Sequence, residues 1–410
     1  MAPEKQLMAM LAELSRVSDE DGKLTRTFLS PAMFRANALV GGWMREAGLT
    51  VHVDHVGNLV GRQAGATARG KTLLLGSHLD TVRDAGRFDG PLGVLLPLVA
   101  LAELKRRGVT LPFAVEVLGF SEEEGVRFAS AYLGSEGYTG RLKATTLALR
   151  DAAGESVGEV LAKFGGRKFL LPKATHKRGD LLGYVEVHIE QGPVLEAKKL
   201  AVGVVSAIAG QSRFKLTWKG QAGHAGTTPM GLRRDALAGA AEFALAAEKL
   251  ARGTAGLVAT VGSLTVSPGA ANVIPGLVEH TLDVRHARDA VRREALLALG
   301  RAANGIAKRR GLKVAWQRTQ NNGAVDCSRE LTARLERSVK AVQGRSISLV
   351  SGAGHDGVVM STLTPVAMLF VRCRGGLSHH PDEYASAGDL EIALRVVVDF
   401  LEGMAQQHAS

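Results

Sequence analysis

Apolar positions along this chain follow two rhythms. Over residues 33–48, "MFRANALVGGWMREAG", they recur at helical spacing and a glycine closes the run. "LTVHVDHVGNLVGRQ" then alternates like a pair of strands broken by turn residues, and "KTLLLGSHLD" is a short apolar run ending in polar residues. "PLGVLLPLVALAELKRRG" predicts a helix with a basic last turn, which suits the helix dipole. "FAVEVLGFSEEEG" predicts another strand, this one ending in acids. Strand, helix and strand in this order predict an α/β sheet, largely parallel, with its ligand site at the carboxyl ends of the strands. Residues 144–182 read as a polar, mostly helical connection. "YVEVHIEQGPVLE" gives a period-2 strand, with Tyr184, Glu186 and His188 on one face and Val185, Val187 and Ile189 on the other.

From about residue 211 the texture changes. "RFKLTWKG" alternates, "RRDALAGAAEFALAAEKLARG" is helical, and "LVATVGSLTV" and "LVEHTLDVRH" read as strands. "DAVRREALLALGRAANGIAKRRG" is a second helix and "LKVAWQRTQ" a final strand. The order β-α-β-β-α-β is the split βαβ plan of a ferredoxin-like domain. The larger α/β domain resumes with "ISLVSGAGHDG" and "VAMLFVRCRGGLSHHPDEY", and "AGDLEIALRVVVDFLEGMA" closes the chain as a helix. The expected organisation is a catalytic-type domain over residues 1–210 and 329–410, interrupted by an α+β domain over residues 211–328.

Composition narrows the function classes. At 410 residues, 46% hydrophobic and 22% charged, the chain has the balance of a soluble globular protein with room for two or more domains. No apolar run approaches the roughly 20 residues that span a bilayer, so no membrane partner is expected. The first 22 residues are charged and amphipathic, unlike a secretory signal, and Cys327 and Cys373 cannot form a disulfide framework. The expectation is a cytoplasmic protein. A net charge of +11 invites a nucleic-acid reading. However, the basic residues are scattered, and aromatics, at 5%, do not interleave with them as a single-strand platform requires. Nucleic acid is therefore not expected as a partner, whereas a small anionic substrate fits the charge.

Four strand ends carry polar residues suited to one site: His78 with Asp80 and Asp89, Glu122 to Glu124, His188 with Glu190, and His379 with His380. Imidazole with carboxylate is the ligand set of Zn²⁺ or Mn²⁺. One carboxylate bridging two ions is the arrangement of a dinuclear hydrolase. Glycines in "AGRFDGPLG" let the backbone fold inward to place Asp89 as such a bridge. The "HLD" spacing lets Asp80 accept a hydrogen bond from the His78 nitrogen turned away from the metal. Adjacent glutamates allow one to bind metal while its neighbour shuttles a proton. Each piece also has a plain reading, a strand-end histidine as a bonded loop residue and "EEEG" as a solvated acidic loop. Only their convergence at successive strand ends separates the two readings.

The order of motifs resembles the M20 metallopeptidase-related amidohydrolases, in the hydantoinase/carbamoylase branch that includes N-carbamoyl-L-amino acid hydrolases and allantoate amidohydrolases. The markers run from about residue 30 to residue 398: "GSHLDTV", "GRFDGPLGV", "EEEGVRF", "HIEQGPVLE", "GHAGTTPM", "NVIPG", "LDVRH", "SGAGHDG" and "GLSHHPDEY". The resemblance implies two divalent ions per chain, one held by His78, Asp89 and His188 and the other by Asp89, Glu124 and His379. It implies Glu123 as general base, with Asp80 behind His78. His188 stands where peptidases of the family usually place a carboxylate, which favours the carbamoylase branch. The inserted ferredoxin-like domain resembles the family's lid and dimerisation domain, so a homodimer through it is implied. His224 would approach the scissile group, Asn272 and Arg285 would bind a substrate carboxylate, and Gln191 would contact the ureido group. Gly223 and His380 depart from asparagines common in the family at those positions. His355 and Asp356 receive no assigned role.

The implied reaction is hydrolysis of the ureido C–N bond of a small ureido acid. The segments "VRDAGRFDG" and "EEEGVRFASAYLGS" resemble those of allantoate amidohydrolases more than those of carbamoylases, a resemblance that implies allantoate, with an N-carbamoyl-L-amino acid as the alternative. A reading of another class is a non-catalytic binding protein on the same fold.

Overall fold

The computed structural model describes residues 2–67, 70–166 and 169–408. The chain divides into two compact units, Met1–Ser206 with Cys327–Ser410, and Ala207–Asp326.

Continuous apolar runs make the centre of the first unit's sheet. Thr72–His78, Ala114–Phe120 and Val366–Val371 are buried at every residue, and Leu181–Ile189 at every residue but Leu182. Strands covered on both faces need side chains that tolerate burial throughout, and such strands belong in the parallel middle of an α/β sheet. The order across the sheet is Thr50–Val53, Leu59–Gln63, Ala114–Phe120, Thr72–His78, Leu181–Ile189, Val366–Val371 and Val202–Ile208, with Ser348–Ser351 also pairing to Val202–Ile208. The middle four strands run parallel. The pairs flanking them are antiparallel, so the sheet is parallel only at its centre. The four parallel strands therefore end together, at His78, Phe120, Ile189 and Val371.

Helices Pro3–Leu14, Pro31–Glu46, Pro91–Arg106, Arg329–Gln343 and Ala387–His408 share one apolar core with these strands. Ser30 caps the second of them by accepting a hydrogen bond from Met33 N at 3.2 Å. The connection expected to be mostly helical over 144–182 is not. Its helices are only Ala144–Leu147, Val157–Gly165 and the 3₁₀ turn Arg178–Asp180, while residues 167 and 168 lie outside the described residues. Gly166, at φ 65°, ends the longest of these helices in the left-handed conformation that glycine favours.

The second unit has its own core, built on Leu216, Trp218, Phe243, Leu282 and Leu299. Its sheet runs Leu264–Ser267, Leu277–His286, Gly210–Lys219, Lys313–Asn322, and Val258–Thr260 also pairs with Leu277–His286. All of these pairs are antiparallel. With helices Ala236–Arg252 and Asp289–Arg310 as crossovers, this is the ferredoxin-like plan, its second strand broken into two short pieces. Buried His280 is structural, accepting a hydrogen bond from Trp218 Nε1 at 2.9 Å.

Candidate metal centre

The shared end of the four parallel strands gathers the histidines and acids. His78 ends one strand and His188 is the penultimate residue of another. Glu123 and Glu124 follow Ala114–Phe120, and His379 follows Val366–Val371. Asp89 arrives between them from the loop ahead of helix Pro91–Arg106. Its Oδ1 lies 3.1 Å from His188 Nε2 and 3.6 Å from His78 Nε2. Its Oδ2 lies 3.3 Å from His379 Nε2, which is also 3.3 Å from Glu124 Oε1. Ligand atoms of His78, Asp89 and His188 lie within 4.8 Å of one another, and so do those of Asp89, Glu124 and His379. Asp89 belongs to both groups, one oxygen to each. His78, Glu123 and Glu124 form a third group at the same spacing.

Local backbone explains the approach. Gly90 sits at φ 82°, and a Cβ there would stand 2.4 Å from the His78 ring. Only glycine lets Asp89 come so close to that imidazole. Gln191 and His379 hold φ near +55°, a strained conformation for residues with side chains and one that clusters at functional sites. His379, not His380, reaches Asp89, whereas His380 Nδ1 accepts the Asp382 N–H at 3.1 Å.

Ring orientation is fixed from behind. His78 Nδ1 is 2.9 Å from Asp80 O, and His188 Nδ1 is 2.9 Å from Ile189 O. A carbonyl only accepts, so both Nδ1 atoms carry a proton and both Nε2 atoms face Asp89. The nearest acceptor for His78 is thus the Asp80 carbonyl rather than the carboxylate, whose Oδ1 is 3.5 Å away. That carboxylate instead accepts the backbone N–H groups of Glu123, at 3.0 and 3.1 Å, and Glu124, at 3.1 Å. It fixes the loop that carries both glutamates.

Charge is concentrated and, half-exposed His379 apart, largely shielded from water. Burial works against ionisation of Asp89, but His188, His379 and His78 outweigh it and hold its carboxyl well below the usual range. Asp89 and Glu124 push His379 up to about 10. Burial, with Glu124 and Asp356 nearby, drives Glu123 well above the ordinary carboxylate range, against the pull of His78. Imidazole nitrogens that converge with carboxylates are a donor set that divalent cations satisfy. The residues present fit a pair of such ions sharing Asp89.

Gln191, expected at the ureido group, and three residues given no role from the sequence, Ser378, Glu383 and His355, complete the surroundings. Gln191 Nε2 donates to Asp89 Oδ2 at 2.9 Å, while its buried Oε1 has no hydrogen-bond partner among the described residues. Ser378 Oγ lies 2.6 Å from Asp89 Oδ2 and 3.0 Å from Glu383 Oε2. Glu383 Oε1 accepts the N–H groups of Phe88 and Asp89 at 2.8 and 3.0 Å, fixing the loop that delivers the bridge. The only sequence signal for Ser378 and Glu383 was their place beside His379 in "GLSHHPDEY". His355 packs its ring edge-on to His188, with centroids 4.5 Å apart.

Within the inserted unit, the backbone segments that carry His224 and Asn272 run side by side. Strand Gly223–His224 pairs with Val273–Ile274, and Ala225 N donates to Asn272 O at 2.9 Å. Arg285 donates to Asp283 at 3.0 and 2.9 Å, and Asp283 also accepts from Gln211 and Arg213.

Residues 74–403 match the model of peptidase family M20/M25/M40. The chain belongs to the M20 family. An M20 relative from Oryza sativa, a probable allantoate deiminase, is 42% identical over 96% of this chain and 87% of its own length. The N-carbamoyl-L-amino acid amidohydrolase of Geobacillus stearothermophilus is 40% identical over 99% of this chain and 100% of its own. A hydantoinase/carbamoylase family amidase from Burkholderia multivorans superposes with a TM-score of 0.92 at 33% identity, covering 98% of each chain. This M20 chain is accordingly a hydrolase of non-peptide C–N bonds, an amidohydrolase.

Proposed function

We propose that the chain hydrolyses the ureido C–N bond of a small ureido acid, allantoate foremost, releasing ammonia and CO₂. The observation that carries the proposal is Asp89, whose two oxygens meet His78 and His188 on one side and His379, paired with Glu124, on the other. In this reading His78, Asp89 and His188 hold one divalent ion, and Asp89, Glu124 and His379 a second, each Zn²⁺ or Mn²⁺. When bound, such ions supply Lewis acidity and bring water's pKa towards neutrality. Glu123 takes a proton from the attacking water and returns it to the leaving nitrogen, so that ammonia departs and the remaining carbamate loses CO₂. Asp80 holds the Glu123 peptide in place. Gln191 Oε1, buried and without a hydrogen-bond partner among the described residues, is the acceptor offered to a ureido N–H. His224 stabilises the developing oxyanion, and Asn272 and Arg285 read the substrate carboxylate, a task that suits a planar guanidinium fork. A cytoplasmic homodimer, joined through residues 211–328, completes the proposal.

The loop sequence "VRDAGRFDG" and the allantoate deiminases at 40–42% identity support allantoate. A second reading, hydrolysis of an N-carbamoyl-L-amino acid, is supported by the full-length Geobacillus relative at 40%. The two differ in the pocket for the side chain and not in the bond broken. A non-catalytic binding role is disfavoured because every member of the donor set is present. The deciding assay is ammonia release from allantoate and from a panel of N-carbamoyl-L-amino acids, with Mn²⁺ and Zn²⁺ supplied separately. Release from allantoate at the highest kcat/KM is expected, and no release from any ureido acid overturns the proposal.

A further inference from the structure

Behind the loop that carries Asp80 lies an arginine with no solvent contact. Arg26 is 0% exposed and is among the largest fully buried side chains of the chain. Its Nε donates to Leu79 O at 2.8 Å, and its Nη1 donates to Leu14 O and Val17 O, both at 3.1 Å. Its own backbone closes around the same turn. Arg26 N donates to Thr81 Oγ1 at 2.9 Å, and Thr81 N donates to Arg26 O at 2.9 Å. The residues on both sides of Asp80 are thus tied to Arg26. No carboxylate bonds the guanidinium directly, and Nη2 has no hydrogen-bond partner among the described residues. Burial pushes the guanidinium down to about 10, with Asp80 and then Asp19 the negative charges that oppose this. Burying an unpaired cation is costly, and three carbonyl acceptors could be satisfied by neutral donors at less expense. What a neutral donor cannot supply is positive charge behind a buried carboxylate.

We infer that Arg26 is a positioning residue for the metal centre, acting through Asp80. It holds the Leu79–Thr81 turn and balances the Asp80 carboxylate, which in turn fixes the Glu123 and Glu124 peptides and sits behind His78. The inference rests on the reading of His78 and Glu124 as metal ligands. Partners behind the ligands commonly change metal affinity by about 10- to 100-fold. The test is Mn²⁺ binding to the chelator-stripped, full-length protein by calorimetry, for wild type, R26K, R26Q, D80N, the R26Q/D80N double variant and H78A. Affinity is expected to fall in the order wild type, R26K, R26Q, with a loss of about tenfold or more for R26Q. The double variant should bind about as weakly as D80N alone. Equal affinities for R26Q and wild type, or additive losses in the double variant, overturn the inference. R26K keeps the charge but loses the Nε–H bond to Leu79 O, so a lysine variant with wild-type affinity also overturns it, even if R26Q does not fold. H78A separates the two levels: if it binds as many ions as wild type, the metal-site reading itself fails.

Discussion

Glu123 combines depth, basicity and position. It is 8% exposed, its peptide is pinned by Asp80, and it shares a cluster with His78 and Glu124. Glu123→Gln keeps its shape and removes its ability to take a proton. The variant should retain the metal content of wild type by elemental analysis while kcat drops by about 100-fold or more, the scale of general-base catalysis. Unchanged turnover would assign the proton transfer elsewhere. At this scale the sequence was legible where a residue type announces its chemistry. The imidazoles and the glutamate pair stood out because few structural reasons place them after buried strands. Ser378 and Glu383 did not stand out. Their partner Asp89 lies 289 and 294 positions earlier, and only the folded chain brings them together.

At the scale of elements, the continuous apolar strands were readable because burial on both faces leaves one solution for such sequences. The antiparallel flanks were not, since pairing direction depends on connections rather than on the side chains of a strand. The segment over 144–182 misled because polar residues at helical spacing satisfy a pattern without supplying a face to bury. Packing of helix on strand is tight at one point. Gly93, inside helix Pro91–Arg106, faces the strand Leu181–Ile189, and a Cβ there would lie 2.2 Å from Val187 O and 2.6 Å from Ser77 Cβ. Gly93→Ala gains about 1 kcal/mol of helix propensity. Against this stands overpacking of about 1–3 kcal/mol, at the upper end here because a backbone carbonyl cannot swing away. The net expectation is destabilisation by about 1–2 kcal/mol, read as a lower midpoint in urea unfolding. A midpoint at or above wild type would show that the helix can shift outward without loss.

The whole molecule carries a net charge of +11, and its proposed substrates are anions. A field of that sign speeds encounter and is screened over a Debye length of about 8 Å at physiological salt. Raising salt from about 50 to 500 mM should lower kcat/KM for the ureido acid several-fold while leaving kcat nearly constant. Equal sensitivity of both would place the salt effect after binding. The ferredoxin-like strand order was visible in the sequence because each of its elements is amphipathic in its own period and the two crossovers are helices of ordinary length. That domain leaves and rejoins the first unit at one spot, since Cys327 N donates to Ser206 O at 3.0 Å. In terms of chain path, residues 207–326 are a very long hairpin loop. Such a cassette can be lengthened, exchanged or allowed to diverge without shifting the register of any strand that presents a metal-site residue. On the proposed reading of Asn272 and Arg285, changes confined to this stretch would retune which acid is accepted while the donor set around Asp89 is inherited unaltered.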